Sequence, residues 1–141
     1  MSDEQPQPDK IFTPGEIDKL LPQVVPLVEQ IQGLQRSILQ TNEKMDQVIS
    51  KLSAGNGYPI QSLKQQLEEL TKHQLQLMEA FQSALEQLQT LGGTLKDVGK
   101  GLVDFYGLRE GQLIWLCWHL GEKSVRFWHP LDEGFTGRKP L

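Results

Sequence analysis

The sequence predicts an α+β fold, in which a long antiparallel two-helix coiled-coil hairpin carries a small, mainly antiparallel β-sheet at its base. Two ladders of mostly apolar residues, spaced alternately by three and four positions, span residues 17–52 and 60–91. This spacing averages about 3.5 residues and places one apolar seam along each helix. A Gly/Pro-rich break at residues 54–59 allows the chain to fold back on itself. After Gly93 the pattern changes to short, strand-like apolar runs.

The first helix is expected to begin at Pro14, after a polar, acidic segment (residues 1–10) that we expect to be a disordered tail. Thr13 can cap the helix, Pro14 suits its first position, and Glu16 completes a capping box.

Pro22 and Pro26 lie inside this first helix, and each removes an amide donor and crowds the preceding turn. Two interpretations remain open. Either one kinked helix runs from Pro14 to Leu52, or a short helix ends near Leu21 and a second begins at Pro22. The heptad register continues across both prolines, which favours the single kinked helix.

The second helix is predicted over Ile60 to Leu91, where Gly92 and Gly93 provide a C-terminal stop. Each seam has one polar position, Thr41 in the first helix and Gln74 in the second. In an antiparallel hairpin these two positions lie about one layer apart. They either share a small polar patch that sets the register, or face solvent at a loosened turn.

Further apolar residues flank the two seams, more than one hairpin can cover by itself. They are Leu21, Val25, Val28, Leu39, Ile49, Leu75, Met78 and Leu85. Those near Leu21 and Leu85 can be covered at the base by the C-terminal segment. Leu39, Ile49 and Leu75 lie further out and suggest a second hairpin alongside, so we expect a four-helix homodimer.

The sheet is predicted from four short segments, at residues 94–98, 102–105, 112–120 and 125–129. Gly121 and Glu122 match the two-residue loop of a type II′ hairpin turn. That turn places Cys117 opposite Arg126 and His129 opposite Ile114. Both faces of the third segment are apolar, so we expect it to be buried on both sides. The last eleven residues, 131–141, are expected to be irregular.

The domain organisation follows from these elements. We expect a tail at residues 1–10, a helical hairpin at 11–93 with its turn at about 53–59, and a β subdomain at 94–141 packed on the hairpin base. The 14 basic and 18 acidic residues give a formal net charge of −4, and neither helix carries a basic patch. Nucleic acid and membranes are therefore not expected partners. The single cysteine and the lack of a signal-like N-terminus indicate a cytoplasmic protein.

No established catalytic signature is present: there is no phosphate-binding glycine loop, no HExxH motif and no nucleophile elbow. We therefore predict no catalytic residues, no metal and no cofactor. Polar and aromatic residues nevertheless concentrate in the last third of the chain. The candidate ligand-binding residues are Asp104, Arg109, Glu122, Trp128, His129 and Arg138.

Each candidate also has a structural interpretation. Arg138 either forms a structural ion pair with Asp104, Glu122 or the terminal carboxylate, which we favour, or binds an anion in an aromatic-walled pocket. The predicted register keeps His119 and His129 too far apart to share a metal. His129 with Asp132 or Glu133 makes only a weak ligand pair. The three tryptophans are expected to pack in the sheet, and Cys117 to be an inert buried residue.

Several segments resemble the bacterial domain of unknown function 2203. They are the opening residues 11–13, 20–22 and 26–27, and the closing residues 101–105, 116–118, 121–122, 127–129 and 134–141. The resemblance covers nearly the whole chain after the tail and implies a small bacterial cytoplasmic protein. It implies no reaction and transfers no catalytic residue.

Two functional hypotheses follow. The first is a non-enzymatic interaction or scaffold protein that self-associates through its helical hairpin and binds a protein partner there. The alternative is a small-ligand or metal-binding module, possibly an enzyme, that uses the C-terminal cluster. In that alternative Arg138 holds an anionic group, His129 acts as acid, base or ligand, and Asp104 orients one of them.

Overall fold

The computed structural model of the protein describes residues 6–55 and 57–141. Its elements are α1 (Pro14–Ala54), α2 (Ile60–Leu91), β1 (Thr94–Asp97), β2 (Leu102–Arg109), β3 (Gln112–His119), β4 (Phe127–Pro130) and β5 (Lys139–Pro140), with a 3₁₀ turn at Phe135–Gly137. The two helices pack against each other, and the strands form one antiparallel sheet in the order β1-β2-β3-β4-β5. The predicted α+β fold is confirmed. Residues 1–5 of the predicted tail and Asn56 of the predicted turn lie outside the described residues.

Helix α1 is one helix through both internal prolines, so the interpretation with a break at Pro22 is wrong. Its N-terminus carries the predicted capping box. The Thr13 amide donates to Glu16 Oε1 at 2.9 Å, and the Glu16 amide donates to Thr13 Oγ1 at 3.2 Å. These reciprocal bonds satisfy two amides that have no partner within the helix, which explains why α1 begins here.

The chain divides into two compact units, which we describe separately. The sheet unit contains the chain up to Glu29 together with Gln87–Leu141, and the hairpin unit contains Gln30–Glu86. Within residues 6–55 and 57–141, neither helix is apolar enough over a sufficient length to cross a membrane.

In the hairpin unit most seam positions are buried or half-buried, and both polar ones, Thr41 and Gln74, are buried; Ile60, next to the turn, is 56% exposed. The Gln74 side chain reaches across from α2, where its Nε2 donates to the Ile38 carbonyl at 3.0 Å and to Asn42 Oδ1 at 2.6 Å. Thr41 instead donates to the Ser37 carbonyl of its own helix at 2.8 Å. Gln74 therefore ties the two helices in one register, while Thr41 is satisfied locally.

The flanking apolar residues divide as their position along the hairpin predicts. Leu21 and Val28, in the sheet unit, are buried. Leu39, Ile49, Leu75 and Met78, all in the hairpin unit, are 46–57% exposed. The hairpin unit therefore presents large apolar side chains to solvent.

Strands β2 and β3 form the longest pair of the sheet, in continuous register from Leu102 opposite His119 to Arg109 opposite Gln112. Strand β2 runs four residues past the predicted end at Phe105, because Glu110 and Gly111 form a tight turn in which both have positive φ (52° and 78°). Such a turn matches the right-handed twist of the flanking strands. The central β3 residues Ile114–Trp118 are all buried, as predicted.

The predicted register between β3 and β4 is wrong by one residue. A turn does form at Gly121, where the Glu122 amide donates to the His119 carbonyl at 3.0 Å, but it does not join the strands directly, because residues 120–126 make a longer connection. Trp115 therefore pairs with His129, and Cys117 with Phe127. Because side chains alternate between sheet faces, this slip moves every β4 side chain to the opposite face from the one predicted. The C-terminal segment also forms β5, where irregular structure was expected; it pairs with β4 through Phe127–Pro140 and Trp128–Lys139.

One sheet face packs against the ends of the helices. Phe12 contacts Phe105 edge-on, with ring centroids 5.5 Å apart, and its amide donates to the Tyr106 carbonyl at 2.7 Å. Gly93 lies so close to this layer that a Cβ there would be 2.8 Å from Val103 Cγ1. The opposite face of the sheet is therefore the one on which polar residues can gather.

Candidate functional site

Three polar residues from adjacent strands meet on the sheet face opposite Phe105. Asp104 on β2 lies directly opposite Cys117 on β3, and His129 on β4 lies opposite Trp115, two residues from Cys117 on the same face. All three are at most 2% exposed. We refer to Asp104, Cys117 and His129 as the buried cluster.

Asp104 and His129 reach toward each other across β3, and His129 Nε2 lies 2.9 Å from Asp104 Oδ2. The other ring nitrogen, Nδ1, lies 3.0 Å from the Pro130 carbonyl oxygen. A carbonyl oxygen only accepts hydrogen bonds, so Nδ1 carries a proton and donates it. The ring is thereby held in one orientation, with Nε2 directed at the carboxylate.

Cys117 completes the buried cluster. One potential ligand atom from each of the three residues lies within 4.8 Å of the others. Burial, and after it the adjacent Asp104 carboxylate, raise the pKa of the Cys117 thiol to about 12, although nearby Arg138 acts to lower it. In the absence of a bound cation the sulfur is therefore a neutral thiol at pH 7. The predicted burial of Cys117 is confirmed.

Beside this cluster, Arg138 is held by Glu122. Arg138 Nη2 donates to Glu122 Oε1 at 2.7 Å and to Oε2 at 2.9 Å, and it lies 3.4 Å from the Cys117 carbonyl oxygen. The guanidinium also stacks 4.1 Å from the ring centroid of Phe127 and 4.9 Å from that of Phe135. Arg138 thus pairs with one of the three carboxylates named by its structural interpretation.

Glu122 has further partners. Its Oε1 accepts from the His119 amide at 2.8 Å, and its carbonyl accepts from Trp118 Nε1 at 2.8 Å. One glutamate therefore joins the end of β3 to the C-terminal segment. This structural role of Glu122 requires neither a ligand nor a substrate.

The remaining two candidates, Arg109 and Trp128, lie away from the buried cluster. Trp128 pairs with Leu116, so it lies on the opposite sheet face from Asp104. The Arg109 guanidinium lies 4.7 Å from its ring centroid, a cation–π contact. The six candidates therefore form three pairs: Asp104 with His129, Glu122 with Arg138 beside the first pair, and Arg109 with Trp128, whose ring lies on the opposite sheet face.

The histidine alternatives also have definite positions. His119 and Trp115, the partner of His129, are four residues apart on β3, about 13 Å at strand rise, so the two histidines do not converge. The Glu133 side chain lies against Gly137. Cys117 is the cluster member that sequence reasoning left out. A correct β3–β4 register would have found it, because the register decides which residues share a face.

The chemistry available to the buried cluster is hydrogen bonding, ion pairing or cation binding, since its donors are one carboxylate, one imidazole and one thiol. Nucleophilic catalysis by Cys117 is disfavoured, because its raised pKa leaves little thiolate.

Comparison with known proteins places the chain within a single family. No curated protein and no solved structure matches it. A family model described as an uncharacterized conserved protein (DUF2203) matches residues 10–141. With its two-helix hairpin and five-stranded sheet, the chain belongs to the DUF2203 family.

Proposed function

We propose that the protein is a non-enzymatic interaction protein that self-associates through its helical hairpin. The observation that carries this proposal is the set of exposed apolar side chains of the hairpin unit: Leu39, Ile49, Leu75 and Met78, each close to half exposed or more. Large apolar side chains grouped on one surface are typical of protein interfaces. The proposed setting is the bacterial cytoplasm.

Helix geometry places these four side chains on one side of the hairpin. Each follows a seam position by one residue, so it lies about 100° around its helix from the seam. Because α1 and α2 are antiparallel, the residues that follow the seam point to the same side on both helices. The bond between Gln74 and the Ile38 carbonyl brings Leu39 and Leu75 to the same level, with Met78 one turn along α2. We refer to Leu39, Leu75 and Met78 as the apolar face.

The charge of this surface favours a second copy of the same chain as its occupant. Beside the apolar face, Gln35 and Asn42 on α1 and Thr71 and Gln82 on α2 are uncharged. Charged residues of both signs lie at its edges: Arg36, Glu43, Lys72 and Glu79. In a two-fold interface each patch meets its own copy, so any charge in the patch would meet a like charge. The uncharged centre of this patch has no such penalty, and the charges at its edges are of both signs. The expected assembly is a four-helix bundle formed by two hairpins.

The C-terminal cluster gives further support. Arg138, the residue that would hold an anionic group there, is already paired with Glu122. A polar group engaged in this way must break an internal bond before it can bind a substrate. The hairpin therefore remains the preferred functional surface.

Sedimentation velocity over a range of protein concentrations tests the proposal. The wild type is expected to form dimers with a Kd below about 10 µM, equivalent to roughly −7 kcal/mol. The triple variant Leu39→Gln/Leu75→Gln/Met78→Gln is expected to be monomeric. Exposed sites tolerate such changes, so its circular dichroism and its unfolding midpoint should match those of the wild-type monomer.

Leu108→Gln is the matched control, because Leu108 is 56% exposed but lies on β2 in the sheet unit. This variant should dimerise like the wild type. A wild type that stays monomeric at about 100 µM would overturn the proposal, as would a triple variant that dimerises normally. Loss of the dimer in Leu108→Gln alone would move the interface to the sheet unit and equally contradict it.

A further inference from the structure

We infer that Asp104, Cys117 and His129 form a binding site for a divalent transition-metal ion, with Zn²⁺ as the best-matched ion. This inference concerns the sheet unit and is independent of self-association by the hairpin. It also reverses the prediction of no metal made from the sequence, because the corrected β3–β4 register places these three donors together.

The first argument is the orientation of the His129 ring. Because Nδ1 donates to the Pro130 carbonyl, the lone pair of a neutral ring lies on Nε2, which faces Asp104 Oδ2 at 2.9 Å. Two lone pairs this close repel unless a cation, either a proton or a metal ion, lies between them. Metal-binding histidines characteristically donate their second ring N–H to a carbonyl or carboxylate, as His129 does here.

The second argument is a buried carboxylate oxygen of Asp104, Oδ1, that lacks a hydrogen-bond partner within the described residues. A proton shared between Oδ2 and His129 satisfies one carboxylate oxygen and leaves Oδ1 without a partner. Leaving such an acceptor buried is costly. A metal ion bound by this carboxylate supplies the missing positive charge.

The third argument is the balance of charge and donor type. A thiolate from Cys117, a carboxylate from Asp104 and a neutral imidazole from His129 carry a total charge of −2, which a divalent ion neutralises in the buried interior. Sulfur, nitrogen and oxygen donors together suit Zn²⁺ among the common biological ions. Hard-ion sites for Mg²⁺ and Ca²⁺ use oxygen donors instead.

The spacing is compatible with this ion. Zn²⁺ binds sulfur at about 2.3 Å and nitrogen or oxygen at about 2.0–2.2 Å, so tetrahedral ligands lie roughly 3.3–3.6 Å apart. The observed separations range from 2.9 Å, between His129 and Asp104, up to a limit of 4.8 Å. Three protein ligands leave one tetrahedral position for water. Since the ligands come from β2, β3 and β4, the ion would join three strands and stabilise the sheet.

Native mass spectrometry of the full-length protein, purified without added metal or chelator, tests occupancy first. The inference predicts an added mass of one zinc ion per chain that chelation removes. Co²⁺ added to the chelated protein should then give visible d–d bands and a thiolate-to-cobalt charge-transfer band. Zn²⁺ should displace the cobalt and raise the melting temperature of the chelated protein.

Three variants locate the ion. Cys117→Ser should abolish the charge-transfer band, and Asp104→Asn and His129→Gln should each weaken Zn²⁺ binding by about tenfold or more. His119→Gln is the matched control, because His119 lies outside the buried cluster; it should bind like the wild type. Circular dichroism identifies any variant that fails to fold. If the variants fail, the wild-type cobalt spectrum tests the inference by itself, because a thiolate-to-cobalt band can come only from Cys117, the chain's only cysteine.

Three results would overturn the inference. One is a wild-type protein that takes up no Zn²⁺ or Co²⁺ at about 100 µM. Another is a cobalt spectrum without the charge-transfer band, which would place the ion away from the sulfur. The third is binding lost in His119→Gln but retained in the folded cluster variants, which would show adventitious binding at the surface.

Discussion

Among single residues of the sheet unit, Glu122 joins the most separate parts. It contacts Arg138 through its carboxylate, the β3 end through the His119 amide, and Trp118 through its carbonyl. The Arg138 and Glu122 side chains are only 12% and 16% exposed, so little solvent screens their attraction. Neutral replacements at this pair should therefore reduce stability more than at a surface ion pair.

Arg138→Ala is expected to lower the free energy of unfolding by about 3 kcal/mol, because it leaves the Glu122 carboxylate largely buried without its partner. Urea unfolding measures the change. Arg138→Lys is the matched control; it keeps the charge but loses the planar stack on Phe127, so its loss should be intermediate. An Arg138→Lys variant as stable as the wild type would argue against a contribution from stacking.

Cys117 is expected to be unreactive in the folded protein. It is fully buried, and in the metal-free protein burial and the Asp104 carboxylate raise its pKa to about 12, so the thiolate that reacts with disulfide reagents is scarce at pH 8. Ellman's reagent should label it only when urea unfolds the chain, at a rate that follows global unfolding. Rapid labelling of the native protein at pH 8 would contradict this description of the site.

At the scale of elements, polar side chains control where helices begin and how they pair. The capping box formed by Thr13 and Glu16 defines the start of α1, and Gln74 on α2 bonds to α1 across the seam. Between β3 and β4, the connection at residues 120–126 sets the register, and with it the face on which His129 lies. A few specific contacts therefore select among alignments that the apolar patterns alone permit.

The capping box should make stability depend on acid pH. The backbone hydrogen bond from Thr13 lowers the Glu16 pKa below its ordinary value of 4.5, so the folded state favours the carboxylate. The resulting stabilisation is fully present above pH 4.5 and is lost as the pH falls through the lowered folded-state value. Glu16→Gln should therefore destabilise the protein at pH 6 and have a smaller effect at pH 3, as measured by urea unfolding. Glu79→Gln, an exposed site on α2, controls for the lost charge.

The polar seam position gives a matched pair of substitutions. Gln74→Leu is expected to raise the free energy of unfolding by up to about 1 kcal/mol, since it fills the seam and removes a buried Oε1 that has no partner within the described residues. Gln74→Asn is expected to lower it, because the shorter side chain cannot reach both the Ile38 carbonyl and Asn42. Thermal unfolding compares the two. A destabilised Leu variant would show that the amide contributes net stability as well as register.

For the whole molecule, an apolar interface and an ion-paired interface predict opposite responses of the dimer Kd to salt. The formal net charge of −4 repels two copies weakly, while the centre of the proposed interface carries no charge. The dimer Kd should therefore stay constant or decrease between about 0.1 M and 1 M NaCl, over which the Debye length falls from about 10 Å to about 3 Å. Analytical ultracentrifugation measures this. A Kd that rises markedly with salt would indicate an interface held by ion pairs instead of by Leu39, Leu75 and Met78.

The sequence by itself determined the elements of this protein. Heptad spacing identified both helices, the Thr13–Glu16 box located the start of α1, and the apolar run of residues 112–120 identified the buried central strand. These features are local, so a short window contains the physical cause of each. The same spacing also distinguished the exposed Leu39 and Leu75 from the seam residues beside them.

Only the tertiary structure decided which residues meet. A turn at Gly121 was compatible with the sequence, yet the longer connection shifts β4 by one residue and brings His129 to Asp104 and Cys117. Such a shift hardly changes how well each residue suits a strand, but it changes which side chains lie on the buried face of the sheet. The sequence therefore contained every residue of the buried cluster, but not their proximity. That proximity depends on packing among four strands. It depends also on the pairing of Arg138 with Glu122, which holds the C-terminal segment in place.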